Sequence, residues 1–297
     1  MLARQRAANL RDDPTAHFEF PWTVLAELNP DYRAFVAGEI RRLGEDHPII
    51  KTQYRLETVD QAGRLFGPEQ LVLLRGDHAR AQEPDDGGEM FVAGVDVAGE
   101  SEAGPDAAVR LASPRKDSTV ITIARVSHPV NLVEPLIEVV QHHWWTGRDH
   151  STQFSALLEL LNARWRCVAV CVDGTGVGAG LASWLARAMP GRVDTVQFSR
   201  PAKSQIGYDL LAAANAGRLR MYRDDGSPEF AEFWQEVRAC RYSVYQNVAL
   251  NFFVDPADGH DDFVVSLGLC VRAAAQALPE PAGGIVTARR MYQDGRY

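Results

Sequence analysis

The sequence predicts an α/β layer fold with a mixed sheet flanked by helices, and three features carry that prediction. Met90 to Ala98, Ser118 to Ser127 and Leu136 to Trp145 are rich in apolar and β-branched residues and follow one another with no helical pattern between them. From Ser151 onward, segments of helical period alternate with two buried runs, Cys167 to Asp173 and Val193 to Phe198. A helical segment then closes the order, which excludes an all-β architecture and a helical bundle.

The elements follow in chain order. Residues 1–88 read as an N-terminal helical and irregular extension, with a helix over Tyr32 to Leu43 and a stretch of alternating character from Thr52 to Leu74. The acidic, turn-rich run Gln82 to Gly88 reads as a linker. The main domain is expected over residues 89–280, built on five strands, with 281–297 as a tail. After the third strand, Phe154, Leu157, Leu158 and Leu161 mark one face of a helix over Ser151 to Arg164. Helices are expected over Leu181 to Ala188 and Ser204 to Ala216, and another with Phe230, Phe233, Trp234 and Val237 on its inner face. Cys240 to Val254 alternates like a hairpin turning at Gln246 and Asn247, and His260 to Ala275 is the last helix.

Composition narrows the function classes. At 46% hydrophobic and 24% charged, the 297 residues have the make-up of a soluble globular chain. No run approaches the roughly 18 residues that a membrane helix needs, and the opening residues lack the apolar core of a secretory signal, so a cytoplasmic protein is expected. The four cysteines form no C-x-x-C pair, which supports neither a zinc ribbon nor a disulfide framework. A net charge of -8 argues against coating nucleic acid by bulk electrostatics, but leaves room for a site that brings its own cations.

Acids stand at three element ends. Asp96 lies near the end of the first strand of the main domain, Asp173 ends the fourth, and Asp261 and Asp262 open the last helix. Strand alternation puts Asp96 on a face with Val92, Gly94 and Ala98, and Asp173 with Cys167, Ala169 and Cys171. These faces carry small residues, which let the last helix approach closely along its own stripe of Asp262, Ser266 and Ala273. One such acid alone reads equally as a metal ligand and as a turn cap or ion-pair partner. Three on converging elements repel one another unless a cation sits among them, and hard oxygen donors suit Mg²⁺ or Mn²⁺. The helical phase sets Asp262 with Leu269, Cys270 and Ala273 toward the sheet, and Asp261 with Val265, Gly268 and Arg272 toward solvent. Asp261 is expected to cap the helix through the N–H of Phe263 or Val264.

The ordered blocks GVDVAG (94–99), DSTVITI (117–123), CVDGTGVGAGL (171–181), FSRPAKSQIGYDLLAAANAGRL (198–219) and GHDDFVVSLGL (259–269) resemble the nuclease domain of a phage-type terminase large subunit. The resemblance covers about Phe91 to Ala275. It implies a ribonuclease-H-like fold and a metal-dependent endonuclease that cuts double-stranded DNA during genome packaging by two-ion phosphodiester hydrolysis, in the cytoplasm of a bacterial host. Asp96, Asp173 and Asp262 would bind two Mg²⁺ or Mn²⁺ ions, with Asp261 auxiliary and Asp117 at the place of a further acid. Because no G-x-x-x-x-G-K-[ST] occurs in the sequence, the packaging ATPase is expected from a separate chain, alongside a small terminase subunit and a portal. A truncated, catalytically decayed relative is the alternative within the family.

Outside it, Gly174, Gly176 and Ala179, with Asp194 some twenty residues on, offer a Rossmann-like nucleotide-binding reading. The negative charge of Asp173 beside those glycines opposes a pyrophosphate. Arg200, Lys203, Arg218 and Arg220, with Arg223, read either as phosphate contacts for DNA or as a solvated rim. His142 and His143, adjacent on a strand, point to opposite faces and read as packing rather than as a metal pair. His260, beside the acids, reads equally as a proton-transfer residue or an ordinary helix-entry residue.

Overall fold

The computed structural model describes residues 20–45, 50, 54–55, 62–85, 87–98, 118–130, 132–176, 178–244 and 249–277. In chain order these form α1 (Trp22–Leu28), α2 (Pro30–Leu43), β1 (Ala62–Arg64), α3 (Pro68–Leu73), β2 (Met90–Asp96), β3 (Ser118–Ser127), β4 (Leu136–Thr146), α4 (His150–Leu158), β5 (Ala169–Asp173), α5 (Gly178–Ala188), β6 (Val193–Val196), α6 (Arg200–Asn215), β7 (Leu219–Met221), α7 (Pro228–Ala239), β8 (Arg241–Val244), β9 (Leu250–Phe253) and α8 (Asp262–Gln276).

The main sheet has the order β6-β5-β2-β3-β4-β7. β2, β3 and β4 pair antiparallel, whereas β5 and β6 on one side and β7 on the other add in parallel. The mixed sheet expected from the sequence thus gains a sixth strand. Leu219–Met221 is only three residues long, too short for alternation to show, and its neighbour β4 provides the pairing that makes it a strand. The helix expected through Arg164 is α-helical only to Leu158 and widens into a π-helical segment, Glu159–Arg164, that still buries Leu160 and Leu161.

Strand alternation sorts the core into two layers. Phe91, Ala93 and Val95 of β2 face Leu157, Leu161, Leu181 and Leu185 of α4, the π segment and α5. Val92 joins Ala169 and Cys171 against Ile206, Phe233, Phe263 and Cys270 of α6, α7 and α8. Each fully buried side chain of this kind is worth roughly 1.5–3 kcal/mol. α8 lies directly on β2, because Gly94 leaves no side chain between them: a Cβ there would collide with the Ser266 carbonyl oxygen and the Cys270 amide nitrogen. The Ser266 hydroxyl donates to the Gly94 carbonyl and pairs with the Thr122 hydroxyl at 2.6 Å.

The region read as irregular before residue 88 carries more structure than its pattern suggests. β1 pairs with β8, the central strand of a second, three-stranded sheet β1-β8-β9, and Leu65, Phe66 and Leu74 join the core cluster of α6, α7 and α8. Pro68–Leu73, expected as alternating, is helical, with Pro at its start and Gln70 accepting from the Gly67 N–H. β8 and β9 pair antiparallel as a hairpin should, and its turn at Gln246 and Asn247 lies outside the described residues. His142 is buried among Tyr222, Phe233 and Phe263, the packing role expected for it. All four cysteines are free and buried. Among the described residues, no helix is long and apolar enough to cross a membrane.

Candidate metal centre

β2 and β5 are neighbours in parallel register, with Val95 opposite Val172, so Asp96 and Asp173 emerge at the same level from adjacent strand ends. Asp262, the first residue of α8, meets them from above: its Oδ2 accepts from the Ser118 N–H at 3.3 Å, at the start of β3. Close packing of α8 on Gly94 fixes that approach. The three acids, with Asp261, Ser118 and Lys203, line an open cavity of about 310 Å³.

The electrostatics are those of crowded carboxylates. Burial raises the Asp96 carboxyl well above its ordinary range, and the charges of Asp262, Asp173 and Asp261 push it further in the same direction. Burial also raises Asp173, opposed by hydrogen bonding from Thr175 and by the positive charge of Lys203. Lys203 Nζ stands 3.6 Å from Asp261 Oδ2 and 4.9 Å from the centre of the Phe252 ring. It is the lysine or arginine that lines the cavity together with four acids.

Among the described residues, no three His, Cys, Asp or Glu side chains stand tightly enough to hold an ion between them. The donor set still fits a hard divalent cation. Mg²⁺ and Mn²⁺ take carboxylate oxygens, and Mg²⁺ keeps several waters and needs only one or two carboxylates directly. Four acids around an open cleft, one buried against the repulsion of the other three, supply such donors without enclosing the ion.

The glycine turn after β5 is committed locally. Asp173 Oδ1 accepts from the Thr175 N–H at 2.7 Å, Thr175 Oγ1 accepts from the Phe198 N–H, and Gln197 donates to the Gly174 carbonyl. A turn amide that a phosphate cradle would use is thereby taken by Asp173 itself. The antiparallel run β2-β3-β4 also departs from the parallel sheet of a Rossmann fold.

Asp96, Asp173, Asp261, Asp262 and Lys203 thus come together, and Asp117 lies outside the described residues. The other basic residues do not join them. Arg200 is exposed at the start of α6, and Arg220 is exposed on β7 at the far edge of the sheet. Arg218 is buried, donating to the Pro135 carbonyl and standing 3.8 Å from Glu134. Read from sequence as a phosphate contact or rim residue, it instead ties the segment before β4 to β7.

Two expectations for Asp261 are overturned. Its side chain makes no cap on α8; the N–H groups of Phe263 and Val264 donate instead to Glu236 Oε2 of α7, at 2.8 and 3.2 Å. Nor does its helical line face solvent, because Val265 is buried and Gly268 packs on Ile206 of α6. Arg272, which suggested exposure, pairs with Asp194. Glu236 was not singled out from the sequence, where it sits on the inner side of an amphipathic helix 27 and 28 residues from the two N–H groups it accepts from.

No family model matches the chain, and no curated protein does. Among solved structures, the large terminase nuclease from thermophilic phage G20c with bound magnesium is 18% identical, with 70% of this chain and 96% of that chain covered and a TM-score of 0.52. The same nuclease with bound cobalt gives 18% identity, the same coverage and a TM-score of 0.51. The chain therefore has the ribonuclease-H-like fold of terminase nuclease domains, as the resemblance implied.

Proposed function

We propose that this chain is a divalent-metal-dependent endodeoxyribonuclease of the terminase type, cutting double-stranded DNA during genome packaging. The observation that carries the proposal is the convergence of Asp96, Asp173 and Asp262 from two strand ends and a helix start on one open cavity. The magnesium-bound nuclease of similar fold supports the choice of cation.

Asp96 and Asp173 would hold one cation and Asp262 would complete the set for a second, with Asp261 auxiliary. Asp117 is a further ligand candidate on the family resemblance alone. When bound, the two ions supply a water of lowered pKa for attack on phosphorus and positive charge for the leaving 3′ oxygen. Thr175, by donating its N–H to Asp173 Oδ1, fixes the carboxylate of a residue that lines the cleft. Lys203 offers a positive charge to a phosphate of the bound strand. Arg200 and Arg220, exposed and outside the cavity lining, are the more remote DNA contacts. Recognition through phosphates makes cleavage largely indifferent to sequence.

The chain works in the host cytoplasm with a packaging ATPase, a small terminase subunit and a portal. The test is incubation of supercoiled plasmid with the purified chain. Nicked and linear products are expected in Mn²⁺ or Mg²⁺ and none in chelator; plasmid left intact at high protein and Mn²⁺ would refute an autonomous nuclease.

A further inference from the structure

The first turn of any α-helix leaves N–H groups without partners in the helix, and a side chain of the N-cap residue ordinarily takes one of them. In α8 the N-cap residue Asp261 leaves its carboxylate in the cavity, and two of the N–H groups are taken from another helix. Glu236 Oε2 accepts from both Phe263 and Val264. Glu236 is itself 2% exposed, anchored in α7 between Phe233, Trp234 and Val237, all buried in the same core layer. The residue immediately before Phe263 is Asp262.

We infer that Glu236 is a positioning residue, which caps α8 from α7 and so sets where Asp262 meets Asp96 and Asp173. A local cap would have used a carboxylate of the α8 start; borrowing the acceptor from α7 leaves both Asp261 and Asp262 facing the cleft. The inference rests on the nuclease reading for its consequence and on the two hydrogen bonds for its geometry. Residues that orient ligands from behind commonly alter metal affinity or activity about 10- to 100-fold when removed.

The test compares wild type with Glu236→Gln, which keeps an acceptor oxygen, and Glu236→Met, which fills the same buried space with none. Calorimetric Mn²⁺ titration should give similar affinity for wild type and Glu236→Gln, and an affinity about 10-fold weaker or more for Glu236→Met. Amide hydrogen exchange at Phe263 and Val264 should be slow in wild type and Glu236→Gln and fast in Glu236→Met, while exchange at Leu267 to Val271 is unchanged. A purely structural Glu236 would lower the melting temperature and speed exchange along the whole helix. Equal Mn²⁺ affinity in Glu236→Met and wild type would overturn the inference. Should Glu236→Met not fold, fast exchange of Phe263 and Val264 in wild type would overturn it, and slow exchange there with Mn²⁺ affinity kept in Glu236→Gln would support it. Absence of Mn²⁺ binding in wild type would instead defeat the nuclease reading, and this inference with it.

Discussion

The Ser266 hydroxyl donates to the Gly94 carbonyl across 3.1 Å, tying the helix that begins at Asp262 to the strand that ends at Asp96. One acid lies two residues beyond this contact along the strand, the other four residues before it along the helix. Spacing between the two carboxylates is thus set by backbone packing rather than by the acids, which repel each other.

Gly94→Ala follows directly from that relation. The added methyl falls on the Ser266 oxygen and the Cys270 nitrogen, so α8 must lift. Overpacking of this kind costs about 1–3 kcal/mol. Urea unfolding should show that loss, and plasmid cleavage should fall more steeply than stability. Ser266→Ala, which leaves the backbone spacing alone, should lose about 1–3 kcal/mol through its buried partners and retain cleavage.

Metal dependence should appear in melting curves. The folded-state pKa of Asp96 is raised, so its contribution to stability is fully present below the unfolded value near 3.8 and is lost as pH rises through the raised value. At pH 8 in chelator, Asp96→Asn should therefore melt no lower than wild type. Mn²⁺ at about 100 times its Kd adds about 2.7 kcal/mol to a protein that binds it only when folded. That increment should appear in wild type and vanish in Asp96→Asn; an equal rise in both would place the ion elsewhere.

The two neighbouring acids should separate by phenotype. Asp262→Ala should abolish cleavage and the Mn²⁺-dependent rise in melting temperature. Because Glu236 supplies the cap, Asp261→Ala should lose less than the roughly 1 kcal/mol typical of a missing N-cap, and its cleavage should fall only partly. A full cap penalty in urea unfolding of Asp261→Ala would show that Asp261 caps the helix after all.

The basic residues should likewise divide. Lys203→Ala should reduce cleavage with little change in stability. Arg218→Ala should do the reverse, losing about 1–3 kcal/mol as the Pro135 carbonyl is left without its buried donor. Urea midpoints and plasmid cleavage on the same preparations distinguish the two.

Acid sensitivity has a separate source in the buried imidazole on β4. Burial lowers His142 from 6.5 to about 3. Between those values the unfolded chain takes up a proton that the folded chain refuses, so stability falls with acidification by up to about 1.4 kcal/mol per pH unit. Unfolding free energies measured from pH 7 to pH 4 should slope less in His142→Phe than in wild type.

Sequence pattern was a good guide where the signal is local and repeated. β3 runs from Ser118 to Ser127 as its β-branched residues predict, and the alternation that put Val92 with Gly94, and Ala169 with Cys171, holds in the sheet, whereas Cys167, expected on the same face, precedes β5 and packs in the opposite layer. It was a poor guide where the decisive partner is remote. Three residues at Leu219 become a strand only because β4 lies beside them, and the N–H groups of α8 find Glu236 rather than the nearest carboxylate. Arg218 and Arg220 share a charge type and a neighbourhood in the chain, but Arg220 lies exposed on β7 between buried Leu219 and Met221, whereas Arg218 precedes the strand and is buried with its guanidinium on the Pro135 carbonyl.

Anomalous diffraction from crystals soaked in Mn²⁺ would test the central claim most directly. The account predicts anomalous peaks in the cleft within coordination distance of Asp96, Asp173 and Asp262, and their loss in Asp96→Asn. Mn²⁺ bound at a site that none of these three carboxylates touches, with the cleft empty, would contradict it.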